Sequence, residues 1–143
     1  MTSPVPRAAL PAECAAADAA FRAVLGVAGG ADAWSAPTRQ AVLAWLSEHR
    51  DLVAAVEGMV LTAERDAGTW ALRGDRDLAG FVGRETRAGR GAGMAAVAQA
   101  GTLAAMPTVA DALVDGPVTT THIAQITRAT AASPALAADL ATA

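Results

Sequence analysis

The chain has 143 residues, a net charge of -3, 53% hydrophobic residues and 3% aromatic residues. That length fits one domain, and a compact domain near this size buries about two-thirds of its unfolded surface without metals or disulfides. The acidic balance argues against a globally basic nucleic-acid binder. The lone Cys14 excludes an internal disulfide and agrees with a reducing, cytoplasmic setting.

Alanine supplies much of the apolar fraction, Tyr is absent, and all 11 basic residues are Arg. Alanine has the highest helix propensity and β-branched and aromatic residues are thinly spread, so the expected class is all-α. The expected architecture is a multi-helix domain with one long helix, about residues 38–67, packed against several short ones.

Residues 1–7 hold Pro4, Pro6 and Ser3 and read as a disordered lead-in, with no convincing leader because Glu13, Asp18 and Arg22 interrupt any apolar core. Residues 8–143 form the helical part. The spacing of Leu10, Cys14, Ala17, Phe21 and Val24 predicts a first helix that ends at Gly26, Gly29 and Gly30. Cys14 lies on that stripe and is expected to be a small buried hydrophobe.

Ser35 is placed to cap the next helix, with Pro37 in its first turn. Val42, Leu46, His49, Val53, Val56, Val60, Ala63 and Ala67 then follow steps of four and three. Unbroken, this helix would be about 45 Å long, with Ser47 to Asp51 the place for a bend. Such a stripe suits the core of its own domain, the favoured reading, or a coiled-coil pairing with another helix or a second copy.

Gly68 to Gly74 reads as a loop whose Trp70 plugs the nearby core. A short helix follows, capped by Asp75 or Asp77, with Leu78, Phe81 and Val82 at helical spacing. The glycine-rich run Gly89 to Gly93 reads as a flexible turn. It has neither the phosphate-loop pattern nor a preceding strand, and the chain has no Lys to reach a phosphate. Arg73, Arg76, Arg84, Arg87 and Arg90 crowd this region against Asp75, Asp77 and Glu85. They are candidate contacts to a DNA backbone, set against the plainer reading of a solvated face with local ion pairs.

From Met94 to Ile126 three short helices are expected. Met94, Val97, Ala98, Gly101 and Leu103 or Ala104 mark the first, which ends near Met106-Pro107. Val109, Ala112 and Leu113 face inward on the second, which Gly116 ends. Thr119 or Thr120 caps the third, with Ile123 and Ile126 inward. Ser133-Pro134 starts a last helix bearing Leu136 and Leu140. A DNA-reading helix-turn-helix fits poorly because Asp115 and Pro117 flank the turn glycine. The uncharged run Gly91 to Ala110 is rich in Ala and carries Gln99, Thr102 and Pro107, so no membrane span is expected.

The order of these features is familiar. Glu64 to Gly68 closes the long helix, and Leu103, Pro107, Ala112, Leu113, Gly116, Val118, His122 and Ile126 follow in a set pattern. In this the chain, from about Thr38 to Leu140, resembles the actinobacterial domain of unknown function 222 (DUF 222), the N-terminal part of many HNH-endonuclease-like proteins. Phe81-Val82 stands where that family commonly has Trp-Leu, and GRGAGMAA replaces its usual helix start before Met94. The resemblance implies further helices and then an HNH nuclease, so residues 8–143 are expected to be a DUF 222-like domain incomplete at its C-terminus. His49 and His122 lack partners at HNH spacing. No catalytic, cofactor or metal-binding residue is carried over, and His122 is expected to be a packed or capping histidine.

The leading expectation is a non-catalytic region that positions or dimerises a nuclease, or contacts DNA through Arg73 to Arg90. The alternatives are a stand-alone helical interaction module that pairs through the long helix and, less favoured, a small DNA-binding regulator. An enzyme acting alone ranks last, because no nucleophile-base pair or carboxylate cluster can be assigned.

Overall fold

A computed structural model describes residues 9–143, which form an all-α protein with no strand among them. The proposed lead-in at residues 1–7 lies outside the described residues. Seven α-helices occur among the described residues: α1 (Ala12–Ala28), α2 (Ala36–Ala67), α3 (Leu78–Glu85), α4 (Gly89–Ala105), α5 (Pro107–Asp115), α6 (Thr120–Ala132) and α7 (Pro134–Thr142). Short 3-10 helices occupy Ala31–Ala33 and Thr69–Arg73. The chain divides into two compact units, Met1–Leu46 and Ser47–Ala143.

In the first unit, α1 carries Phe21, whose ring lies 5.6 Å from that of Trp45 on α2. Cys14 is exposed, which corrects the expectation of a buried thiol; no residue of α1 is buried, so its stripe marks a helix without marking a core. Ser35 starts α2, its Oγ accepting the Thr38 N–H at 3.2 Å. The helix then continues for 32 residues with no break at Ser47 to Asp51.

The second unit is built around α4, which packs against α3, α5 and α6, while α7 packs on α6. Two apolar clusters fill it. Ala55 of α2, Leu103 of α4, Leu113 of α5 and Ile123 of α6 make one; Leu61, Leu78, Val82 and Ala100 make the other, with Trp70 and Phe81 packed against it. Leu113 and Ile123 are each 1% exposed, so the break at Met106-Pro107 and the turn at Gly116 serve to bring α5 and α6 onto α4.

Gly116 ends α5 at φ 100, a left-handed value that suits glycine. At the start of α6, Nδ1 of His122 accepts the Thr119 N–H at 3.1 Å, so His122 is a capping histidine. Thr102 and Thr127 share a hydroxyl hydrogen bond of 2.7 Å between α4 and α6.

The glycine-rich run is helical, not a flexible turn: α4 starts at Gly89. Packing overrides propensity there, because α3 and α4 approach closely. A Cβ on Gly93 would lie 2.1 Å from the Ala79 carbonyl oxygen, and one on Gly83 would lie 2.4 Å from the Gly89 carbonyl oxygen. That packing sets which residues of α4 lie inside. Met94 and Ala98 are exposed, while Gly93, Ala100, Thr102 and Leu103 are buried.

Candidate functional site

The arginine segment is largely occupied with its own carboxylates. Asp77 caps α3 by accepting the Gly80 N–H at 2.8 Å, and Arg90 reaches across from α4 to grip the same carboxylate with both terminal nitrogens. Arg84 holds Asp75 through Nε at 3.2 Å and through its second terminal nitrogen, bonds Glu85 at 2.9 Å, and lies over the Phe81 ring at 5.8 Å. Arg73, half-buried, reaches Glu85 at 3.3 Å.

These pairs shift the titrations as the geometry requires. The Arg90 guanidinium, then the Gly80 N–H, hold the Asp77 carboxyl down at about 2, and the Arg84 hydrogen bond lowers Asp75. Arg84 and Arg90 are raised chiefly by the hydrogen bonds they donate to Asp75 and Asp77 respectively. Arg76 and Arg87 are exposed and have no ion pair among the described residues. Arg87 takes φ 57 in the turn between α3 and α4. The structure therefore brings Arg73, Arg84 and Arg90 together with acids and leaves Arg76 and Arg87 outside that network.

The larger feature is α2. The residues it buries are Asp51, Ala55, Gly58 and Leu61, one narrow face of mostly small side chains. The stripe expected to face the core points the other way from residue 53 on: Val53 is 60%, Val56 59%, Val60 61% and Met59 67% exposed. At about 100° per residue the two faces lie nearly half a turn apart. This corrects the reading of the stripe as a core face. Gly58 explains the choice, since a Cβ there would lie 3.0 Å from Leu103 Cδ1; α4 seats against the side of α2 that has almost no side chain.

Beside the exposed stripe an apolar groove of about 230 Å³ opens between α2, α4 and α5. Met59 of α2 and Val114 of α5, both exposed, line it together with Leu103, Pro107, Ala110 and Asp111. Exposed apolar surface thus continues from α2 into the groove. Among the described residues no group of three or more His, Cys, Asp or Glu side chains could hold a metal ion.

No family model, no curated protein and no solved structure matches this chain. Among the described residues no single helix is long and apolar enough to cross a membrane; α4 and α5 pass that test only as a pair, bent by 106° at the break between them.

The sequence shows the α2 stripe but also a second, weaker face of Ala54, Ala55 and Gly58, and periodicity alone points to the stronger one. The signal for the true inward face was the small size of its residues, which permits a close helix contact.

Proposed function

We propose that the chain is a non-catalytic helical association module whose partner surface is the outward face of α2. One observation carries this reading. From Leu52 to Val60 the helix is apolar on both sides, and only the small-residue side is used by its own unit. A helix apolar all round is normally buried all round, and a contiguous apolar face of this kind is the common mark of an association site. Within the resemblance to DUF 222, such a module pairs or positions an HNH-type nuclease.

The test is association of the full 143-residue chain. Sedimentation equilibrium is expected to show self-association that Val53→Asp and Val56→Asp abolish, with helix content unchanged because both side chains are exposed. A wild-type chain that stays monomeric up to millimolar concentration would count against the reading.

A phosphate-contact role is the second reading, and what supports it is the exposure of Arg76 and Arg87. It is the weaker one, because the other three candidate arginines hold acids of their own chain.

A further inference from the structure

We infer that the partner of the α2 face is a second copy of this chain, paired antiparallel about a two-fold axis between Ala54 and Ala55; this rests on the association reading above. The stripe has the alternating spacing of a coiled-coil seam. Leu46, Val53 and Val60 take the a positions, and His49, Val56 and Ala63 the d positions. The flanks are unlike each other. Arg50, Glu57 and Glu64 line the e flank, whereas Leu52 and Met59 line the g flank beside the groove.

In an antiparallel pair, a faces d, e faces e, and g faces g. With the axis between Ala54 and Ala55, Val53 meets Val56 of the second copy and Val60 meets His49 of the second copy. Leu52 meets Met59 of the second copy at the mouth of the groove. Arg50 then meets Glu57 of the second copy, and the symmetry makes that contact twice. Arg50 and Glu57 are both exposed and have no ion pair among the described residues.

Charge singles out this register. A shift of the axis by half a heptad toward the C-terminus sets Glu57 against its own copy, and the opposite shift sets Arg50 against its own copy. Parallel pairing places e against g, so that Arg50 meets Trp45 and Glu57 meets Leu52. The shift toward the C-terminus also brings Arg50 to Glu64 of the second copy, but only the register centred between Ala54 and Ala55 sets opposite charges face to face without a like-charge contact, and like-charge contacts are effective at rejecting wrong pairings. The apolar seam from His49 to Val60 is about 18 Å long, so the dimer is weak and depends on concentration.

Reversing the charges one at a time tests the register. In the full chain at low ionic strength, Arg50→Glu and Glu57→Arg are each expected to weaken dimerisation by about tenfold or more. The first sets acids against acids and the second sets arginines against arginines. Mixing the two variants restores the dimer as a one-to-one hetero-pair, because every facing contact again joins opposite charges. Far-ultraviolet circular dichroism checks that both remain folded, as their exposure leads one to expect. A wild-type dimer that neither reversal weakens, or a mixture that fails to pair, overturns the antiparallel register while the association reading stands. A monomeric wild type overturns both.

Discussion

Oδ1 of Asp51 accepts the backbone N–H of Thr120 at 2.9 Å, joining α2 to the first turn of α6 across 69 residues of sequence. The first N–H groups of a helix have no partner within it, and a carboxylate there also meets the favourable end of the helix dipole. Asp51 is buried, so the long helix caps the short one from inside the core. Removing the acceptor leaves a part-buried N–H without it. Asp51→Ala is therefore expected to cost about 1–3 kcal/mol, read from urea denaturation. A loss below about 0.5 kcal/mol, the level of ordinary surface changes, would mean that water replaces the carboxylate.

Two glycines of α4 separate packing from propensity. Gly93→Ala drives a Cβ into the Ala79 carbonyl oxygen, and overpacking of this kind costs about 1–3 kcal/mol. Gly101 has no neighbour within 4 Å of the same position, so Gly101→Ala is expected to gain about 0.5–1 kcal/mol from helix propensity. Equal effects from the two, measured as shifts in thermal midpoint, would contradict the close approach of α3 and α4.

Acid stability reports on Asp77. Its ordinary value of 3.8 falls to about 2 through Arg90 and the Gly80 N–H. A carboxyl depressed by folding contributes stability that is fully present above the unfolded value and is lost as pH falls through the folded one. Between pH 3.8 and about 2 the wild-type thermal midpoint should therefore fall more steeply than that of Asp77→Asn. Parallel curves would show that the Arg90 contact does not persist in solution.

Salt dependence discriminates among the arginines. If the chain binds duplex DNA through Arg76 and Arg87, the slope of log K against log salt is no steeper than about -2, and the double change to Ala abolishes it. Arg84→Ala and Arg90→Ala should leave that slope unchanged, since both side chains are held by Asp75 and Asp77. A slope near -4 would mean that those ion pairs open for phosphate.

Most helix boundaries of this protein are legible in its sequence because their causes are local; the start of α4 at Gly89 is the exception, set by its close packing on α3. Ser35, Asp77, Thr119 and Ser133 stand where helices start, Pro107 opens α5 and Gly116 closes it. Each acts through its own backbone or that of its near neighbours. The arginine cluster was equally visible as a set of residues. Its pairing was not, because Arg90 finds Asp77 only after α3 and α4 have folded against each other.

What the sequence by itself determined was an all-α chain, its element order and the periodicity of α2. Which side of α2 lies inside was decided by tertiary structure alone. Val53, Val56 and Val60 make the stronger apolar stripe, yet Ala55 and Gly58 take the core. The reason is steric: α4 brings Leu103 to a point that only a nearly bare helix face can meet. Periodicity fixes the angle between two faces of a helix, but the neighbour that fits one of them chooses which is buried.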